Sequence, residues 1–217
     1  MHGKLRVVTA LAVLLAGCQA TAPEAASSGS SAAAPRSAAP IVPSNQPDRT
    51  RRAREVYLRG VALVAQDARL DEAIRDFQHA LEIDPLFHLA HFKLGICYYQ
   101  KGEYSLEITE YKKCLSINPQ YEPAWLNLGH AHLARDELQQ ARDAYRRVLE
   151  LSPGHGIALY NLALIEFDLK NEGESERLFR AFLRHEANAA GDMGERAREY
   201  LRDLDRRAAE RRGQAGS

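Results

Sequence analysis

The sequence predicts an all-α chain: a solenoid of about four helix–turn–helix repeats closed by a C-terminal capping helix, behind a signal peptide and a disordered tether. Three observations carry this. Pro85, Pro119 and Pro153 stand 34 residues apart, and so do Leu94, Leu128 and Leu162. Phe77, Tyr111, Tyr145 and Phe179 keep the same period, as do the small residues Gly95, Gly129 and Ala163. A fixed period of this length marks stacked supersecondary units rather than one irregular bundle. The repeats divide as 54–87, 88–121, 122–155 and 156–189, within a domain spanning 51–189, and the cap covers 190–212.

Within one unit the order of residues has a physical reading. Trp125-Leu126-Asn127-Leu128-Gly129 lies on a first helix, Ala141 and Tyr145 on a second, and Pro153 ends the unit. Gly129 and Ala141 are small where two antiparallel helices come close. Trp125 and Tyr145 fill the wider ends, and Pro153 stops the second helix. This order resembles the tetratricopeptide (TPR) repeat. Ala73 and Ala141 hold the small position of the second helix, but Glu107 and Ser175 replace it in units two and four, which predicts looser packing there.

Residues 1–17 read as a lipoprotein signal peptide. Lys4 and Arg6 give a positive start, and Val7 to Ala16 form an apolar run too short to span a bilayer. Leu15-Ala16-Gly17-Cys18 resembles a bacterial lipobox. That resemblance implies that Cys18 is the lipidation site, acylated with palmitate-type chains; an ordinary secretory signal with an incidental cysteine is the alternative. Several acyl chains on one residue anchor stably where a single chain does not. Gln19 follows where an Asp would favour inner-membrane retention, so the resemblance implies a bacterial envelope protein on the periplasmic face of the outer membrane. Residues 18–50 are rich in Ala, Ser and Pro and short of large apolar side chains, which predicts a disordered tether reaching roughly 30 Å. Arg49, Arg51, Arg52 and Arg54 follow, either as a solvated helix start or as a contact for anionic head groups.

The TPR resemblance places ligands on the concave side, along one stripe of each first helix. In units two to four that stripe reads Leu89, Phe92, Ile96, Tyr99 and Gln100; Pro123, Leu126, His130, Leu133 and Ala134; Ile157, Tyr160, Leu164, Phe167 and Asp168. Unit one contributes Leu58. Asn127 and Asn161 sit beside the stripe and resemble the asparagines with which some TPR superhelices hold a peptide backbone. The groove so drawn is apolar and aromatic, which suits an amphipathic helix or an extended apolar segment of an envelope protein. The stripe lacks the Lys, Arg and Asn set with which chaperone-adaptor TPRs clamp a C-terminal carboxylate.

The remaining chemistry is sparse. Lys+Arg and Asp+Glu are balanced at 29 each, which gives no electrostatic footprint for nucleic acid. Cys97 and Cys114 fall roughly 13 Å apart along an antiparallel hairpin, beyond disulfide reach, so two buried free thiols are expected. The histidines show no metal-ligand spacing, and no nucleophile motif or phosphate loop is present, so neither catalysis, metal nor cofactor is expected. At the C-terminal end, Met193, Ala197, Tyr200, Leu201, Leu204 and Ala208 form one apolar stripe for the cap.

Lipobox, tether and repeats together resemble the TPR lipoproteins of type IV pilus biogenesis (pilotin-like) and of tight-adherence pili. The resemblance implies a non-enzymatic, membrane-anchored scaffold or adaptor in pilus or secretion-machinery assembly. An accessory subunit that recruits substrates to an envelope peptidase or glycosyltransferase is the alternative.

Overall fold

The structure, a computed structural model, describes residues 46–64, 69–184 and 191–215. The expected signal peptide, Cys18 and most of the tether lie outside the described residues. Among those described, the chain is wholly helical: α1 Gln46–Val64, α2 Leu70–Ile83, α3 His88–Gln100, α4 Tyr104–Ile117, α5 Glu122–Ala134, α6 Leu138–Leu151, α7 Gly156–Asp168, α8 Glu172–Leu183 and α9 Gly191–Ala215. The helices pair as hairpins, α1 with α2, α3 with α4, α5 with α6 and α7 with α8. Each second helix then packs on the next first helix, and α9 packs on α8. α1 begins at Gln46, inside the stretch expected as tether, and Arg49 donates from Nε to the Ile83 carbonyl at 3.1 Å.

The turns repeat as faithfully as the helices. Gly102, Asp136 and Lys170 each take a left-handed conformation, with φ of 73°, 61° and 65°. The amide of the following residue then donates back across the helix end: Glu103 to Tyr98, Glu137 to His132, and Asn171 to Glu166, all at 2.8–2.9 Å. This is the Schellman closure, which satisfies carbonyls the helix leaves open. Second helices end differently. The amides of Asp84, Asn118 and Ser152 close on Ala80, Cys114 and Val148, and a proline follows each time.

Small residues set how closely the hairpins pack. A Cβ on Gly129 would stand 2.9 Å from the Tyr145 ring, and one on Gly95 would meet Tyr111 more closely still. In the first hairpin the partner of Phe77 is Gly60, where a Cβ would stand 2.8 Å from the ring. Gly60 precedes Gly95 by 35 residues, not 34. Ring contacts agree: Tyr57 meets Phe77 and Phe87 as Phe92 meets Tyr111 and Tyr121, the edge-on pairs both at 5.1 Å. α1 is therefore one residue out of phase with the strict period, because the path from Gly60 to Phe77 is one residue longer than that from Gly95 to Tyr111.

The core runs the length of the stack, between first and second helices. Phe77, Tyr145 and Phe179 are fully buried, and Ala73, Ala141 and Ala163 fill the close approaches. The looser packing expected at Glu107 and Ser175 does not occur: both are buried. Ser175 fits because its hydroxyl donates to the Ala163 carbonyl at 2.9 Å. Glu107 instead carries a carboxyl oxygen with no hydrogen bond, and burial pushes the acid up to about 7.

α9 closes the stack. Ala197 and Leu204 are buried, with Met193, Tyr200 and Leu201 packed beside them. Tyr200 stacks on Phe179 at 5.2 Å and meets Phe167 edge-on at 5.0 Å. The Arg207 guanidinium lies over the Phe167 ring, 4.6 Å from its centroid. Arg198, Arg202 and Arg206 on the opposite side are exposed, the polar outer surface a solenoid end requires.

Candidate protein-binding groove

Each first helix is covered on one side by its own second helix and the preceding one. On the side left open, α3 and α5 show Leu89, Ile96, Tyr99, Leu126 and His130, all partly exposed. Their helical spacings place them on one face of each helix. Ile96, Tyr99, Leu126 and His130 are groove residues that the sequence singles out, and the structure brings them onto neighbouring helices α3 and α5.

The other expected groove residues are placed elsewhere. Phe92 is buried between the rings of Tyr111 and Tyr121. Leu133 and Leu164 are buried in the apolar core. Tyr160 is buried against Phe179 and Phe182, and Phe167 lies beneath Tyr200 and Arg207 of α9. The groove therefore closes over unit four, where the row was expected to continue. Leu58 is 53% exposed, but with α1 in its shifted phase it corresponds to Asn127 rather than Leu126. It lies on α1, the first of the described helices.

Asn127 and Asn161 do not face the groove either; both are buried. Asn127 Nδ2 donates to the Tyr111 hydroxyl of the preceding unit at 3.2 Å. Asn161 holds the equivalent place beside Tyr145 but without a well-formed hydrogen bond; burial holds the Tyr145 hydroxyl well above the usual tyrosine range, offset in part by the Asn161 amide. The two asparagines thus act between repeats rather than on a ligand backbone. The sequence carries a signal for this. Tyr111 is followed by Asn127 and Tyr145 by Asn161, whereas Phe77, which has no hydroxyl, is followed by Lys93.

The polar side chains around the groove are mostly engaged. His91 Nδ1 lies 2.6 Å from Glu110 Oε2, and Lys113 binds the other carboxylate oxygen at 2.7 Å. His132 pairs with Glu137, and His155 Nδ1 accepts from the Ala158 amide at 3.3 Å. Glu166 is fully buried between Arg142 and Arg146 of the preceding second helix, which offsets its desolvation. Trp125 donates from Nε1 to the Pro119 carbonyl at 2.8 Å and carries the Arg147 guanidinium over its ring. These contacts fasten the helices and turns to one another. At the N-terminal end a cleft of about 380 Å³ is lined by Arg59, Arg69, Glu72, Arg75, Asp76 and Leu63. Its charges pair among themselves, Arg59 with Asp76 and Arg69 with Glu72.

Cys97 and Cys114 are buried free thiols, each pushed up to about 12 by burial, and so unreactive as nucleophiles. Among the described residues no three His, Cys, Asp or Glu side chains converge as a metal site, and no helix is long and apolar enough to cross a membrane.

The tetratricopeptide-repeat family profile matches residues 57–122 and 126–192. The chain belongs to the tetratricopeptide-repeat family. Solved TPR structures share its fold. A tetratricopeptide repeat protein from Parabacteroides merdae superposes with a TM-score of 0.64 at 20% identity, over 74% of this chain and 62% of that one. The MamA protein gives 0.57 at 21% identity, over 73% and 91%. The first TPR of Spaghetti (RPAP3), solved with the HSP90 peptide SRMEEVD, gives 0.53 at 24% identity, over 56% and 95%. No curated protein matches the chain. The TPR fold is that of a protein-interaction scaffold, and nothing in the family assignment brings a catalytic domain.

Proposed function

We propose that this TPR protein is a lipid-anchored scaffold of the bacterial envelope, held at the periplasmic face of the outer membrane through Cys18, which binds an apolar segment of an envelope protein along α3 and α5. The observation that carries the groove is the row Leu89, Ile96, Tyr99 and Leu126, which stays partly exposed while Tyr160, Leu164 and Phe167 of α7 are buried, Phe167 beneath α9. Such a row suits an amphipathic helix better than a charged tail. The Spaghetti TPR is solved with an acidic peptide, but here the candidate asparagines are buried between repeats. The anchor rests on the sequence Leu15-Ala16-Gly17-Cys18 after an apolar run. Pilus or secretion-machinery assembly is the setting that the combination of lipobox, tether and TPR array favours.

Two experiments test this separately. Cys18→Ser abolishes palmitate labelling and releases the protein from the membrane fraction; labelling that persists removes the anchor. Ile96→Ala, Tyr99→Ala and Leu126→Ala combined abolish in-cell crosslinking to the partner while leaving the helical circular dichroism intact. Unchanged crosslinking by this variant removes the groove.

A further inference from the structure

The described helices begin on one edge of the stack. α1 starts at Gln46, beside the turn 84–87 that leads from α2 into α3. The Asp84 carboxylate ties the two together: it accepts from the Thr50 hydroxyl at 3.3 Å and from the Leu86 amide at 3.1 Å. The turns 118–121 and 152–155 and the end of α8 lie on this same entry edge. The turns inside the hairpins, 101–103, 135–137 and 169–171, lie on the opposite one.

Charge divides between these edges. Taking α1 to α8 by half-helices, basic residues outnumber acidic ones on the entry edge, and acidic outnumber basic on the opposite edge. Lys112, Lys113, Arg180 and Arg184 are exposed on the entry edge, where α4 and α8 end. The first turns of α1 add Arg51, Arg52 and Arg54, exposed on the outward side while Ala53 between them is buried. Most acids of this edge are tied into the fold. Glu110 is held by His91 and Lys113, Glu122 by Ser152, and Asp84 by Thr50 and the Leu86 amide. The opposite edge carries Asp71, Glu103, Asp136, Asp168 and Glu174. Beside the arginines of α1, Leu86 is 71% exposed, at a turn position that Gln120 and Gly154 fill in the next two units.

We propose that the entry edge rests on an anionic phospholipid bilayer, with Arg51, Arg52 and Arg54 at the head groups and Leu86 set between them. This goes beyond the groove and takes its membrane from the anchor reading above. Exposed arginines are drawn to an anionic surface, and a buried apolar side chain adds to the hold. The stretch from Cys18 to Gln46 leads to this edge and reaches roughly 30 Å, so the surface stays close and a weak contact suffices. The acidic edge is repelled by the same lipids. The array therefore lies along the bilayer with its hairpins upright.

The test follows a dye on each edge. Cys97 and Cys114 are buried and their thiols pushed up to about 12, so a surface cysteine takes a maleimide selectively. The full-length chain with Cys18→Ser, which lacks an acyl group, carries an environment-sensitive dye at Leu86→Cys or at Gln140→Cys, an exposed residue of the opposite edge. Vesicles of about one-third phosphatidylglycerol in phosphatidylcholine should shift the dye at 86 to the blue and leave that at 140 unchanged. Phosphatidylcholine alone should shift neither. Arg51→Gln, Arg52→Gln and Arg54→Gln combined should weaken binding about a hundredfold, roughly fivefold for each charge. The ion pairs of Arg51 with Asp48 and Glu55 are exposed and worth little, so this variant keeps its circular dichroism. Lysine at the three positions should restore binding.

No shift at 86, equal shifts at both positions, or an equal shift on phosphatidylcholine alone overturns the proposal. So does a glutamine variant that binds as the parent does, or a lysine variant that fails to recover. Palmitate labelling of the parent reports the anchor separately. A labelled parent with no shift at 86 keeps the anchor and loses the edge. A shift at 86 with no palmitate on the parent keeps the edge and loses the anchor.

Discussion

Asn127 Nδ2 donates to the Tyr111 hydroxyl at 3.2 Å across the boundary between two repeats. Both groups are buried, so the bond ties the register of one hairpin to the next. Tyr111→Phe removes the acceptor and leaves a buried amide unsatisfied. It is expected to lower stability by about 1–2 kcal/mol in chemical denaturation. Tyr145→Phe is the contrast, because its hydroxyl has no well-formed partner to lose. It should cost less than Tyr111→Phe, and an equal cost would show that the two boundaries are alike.

Gly60 supplies a test in which sign decides. Replacing a helical glycine by alanine on an open surface stabilises by up to about 1 kcal/mol. Against Phe77 the added methyl must displace a buried ring, so Gly60→Ala is expected to destabilise by roughly 1–3 kcal/mol. A stabilised variant would return the close approach to Val61, where the strict period puts it.

That position also shows how far the sequence can be read. The aromatic, proline and glycine periods define the hairpins because each recurs in nearly every unit. One extra residue in the first hairpin leaves Phe77 and Pro85 on period while rotating α1, so the strict period assigns Leu58 to the groove in error. The groove is half legible for a second reason. Helical phase gives the direction of a side chain, not what lies over it. Phe167 points as expected, but Tyr200 and Arg207, from a helix outside the repeats, cover it.

Glu107 gives a pH signature. Its folded-state acid lies near 7, above the ordinary carboxylate value, because burial disfavours the ion. The unfolded chain therefore releases this proton first as pH rises, and stability falls between about pH 4.5 and 7. Glu107→Ala, with the residue found at positions 73 and 141, should be more stable than the parent at pH 8 by roughly 2 kcal/mol after allowing for residual solvation. The advantage should vanish near pH 4. A pH-independent difference between the two denaturation curves would show that Glu107 does not titrate in this range.

Lys170 adopts a left-handed conformation, with φ of 65°, at the turn where unit two has Gly102. Lys170→Gly relieves that strain and is expected to raise stability by about 0.5–1 kcal/mol in thermal denaturation. Gly102→Ala should lose a similar amount. If both changes lower stability, the turn is held by the lysine side chain and not by its backbone.

The stacking of Tyr200 on Phe179 gives the array a direction of growth. Interior hairpins offer their second helix to whatever follows, so a duplicated unit could be inserted between α2 and α7 and meet complementary neighbours on both sides. After α8 that surface is already taken by a helix whose outward side is arginine and acid. A unit added to this array therefore meets complementary surfaces ahead of α7 and a closed one after α8.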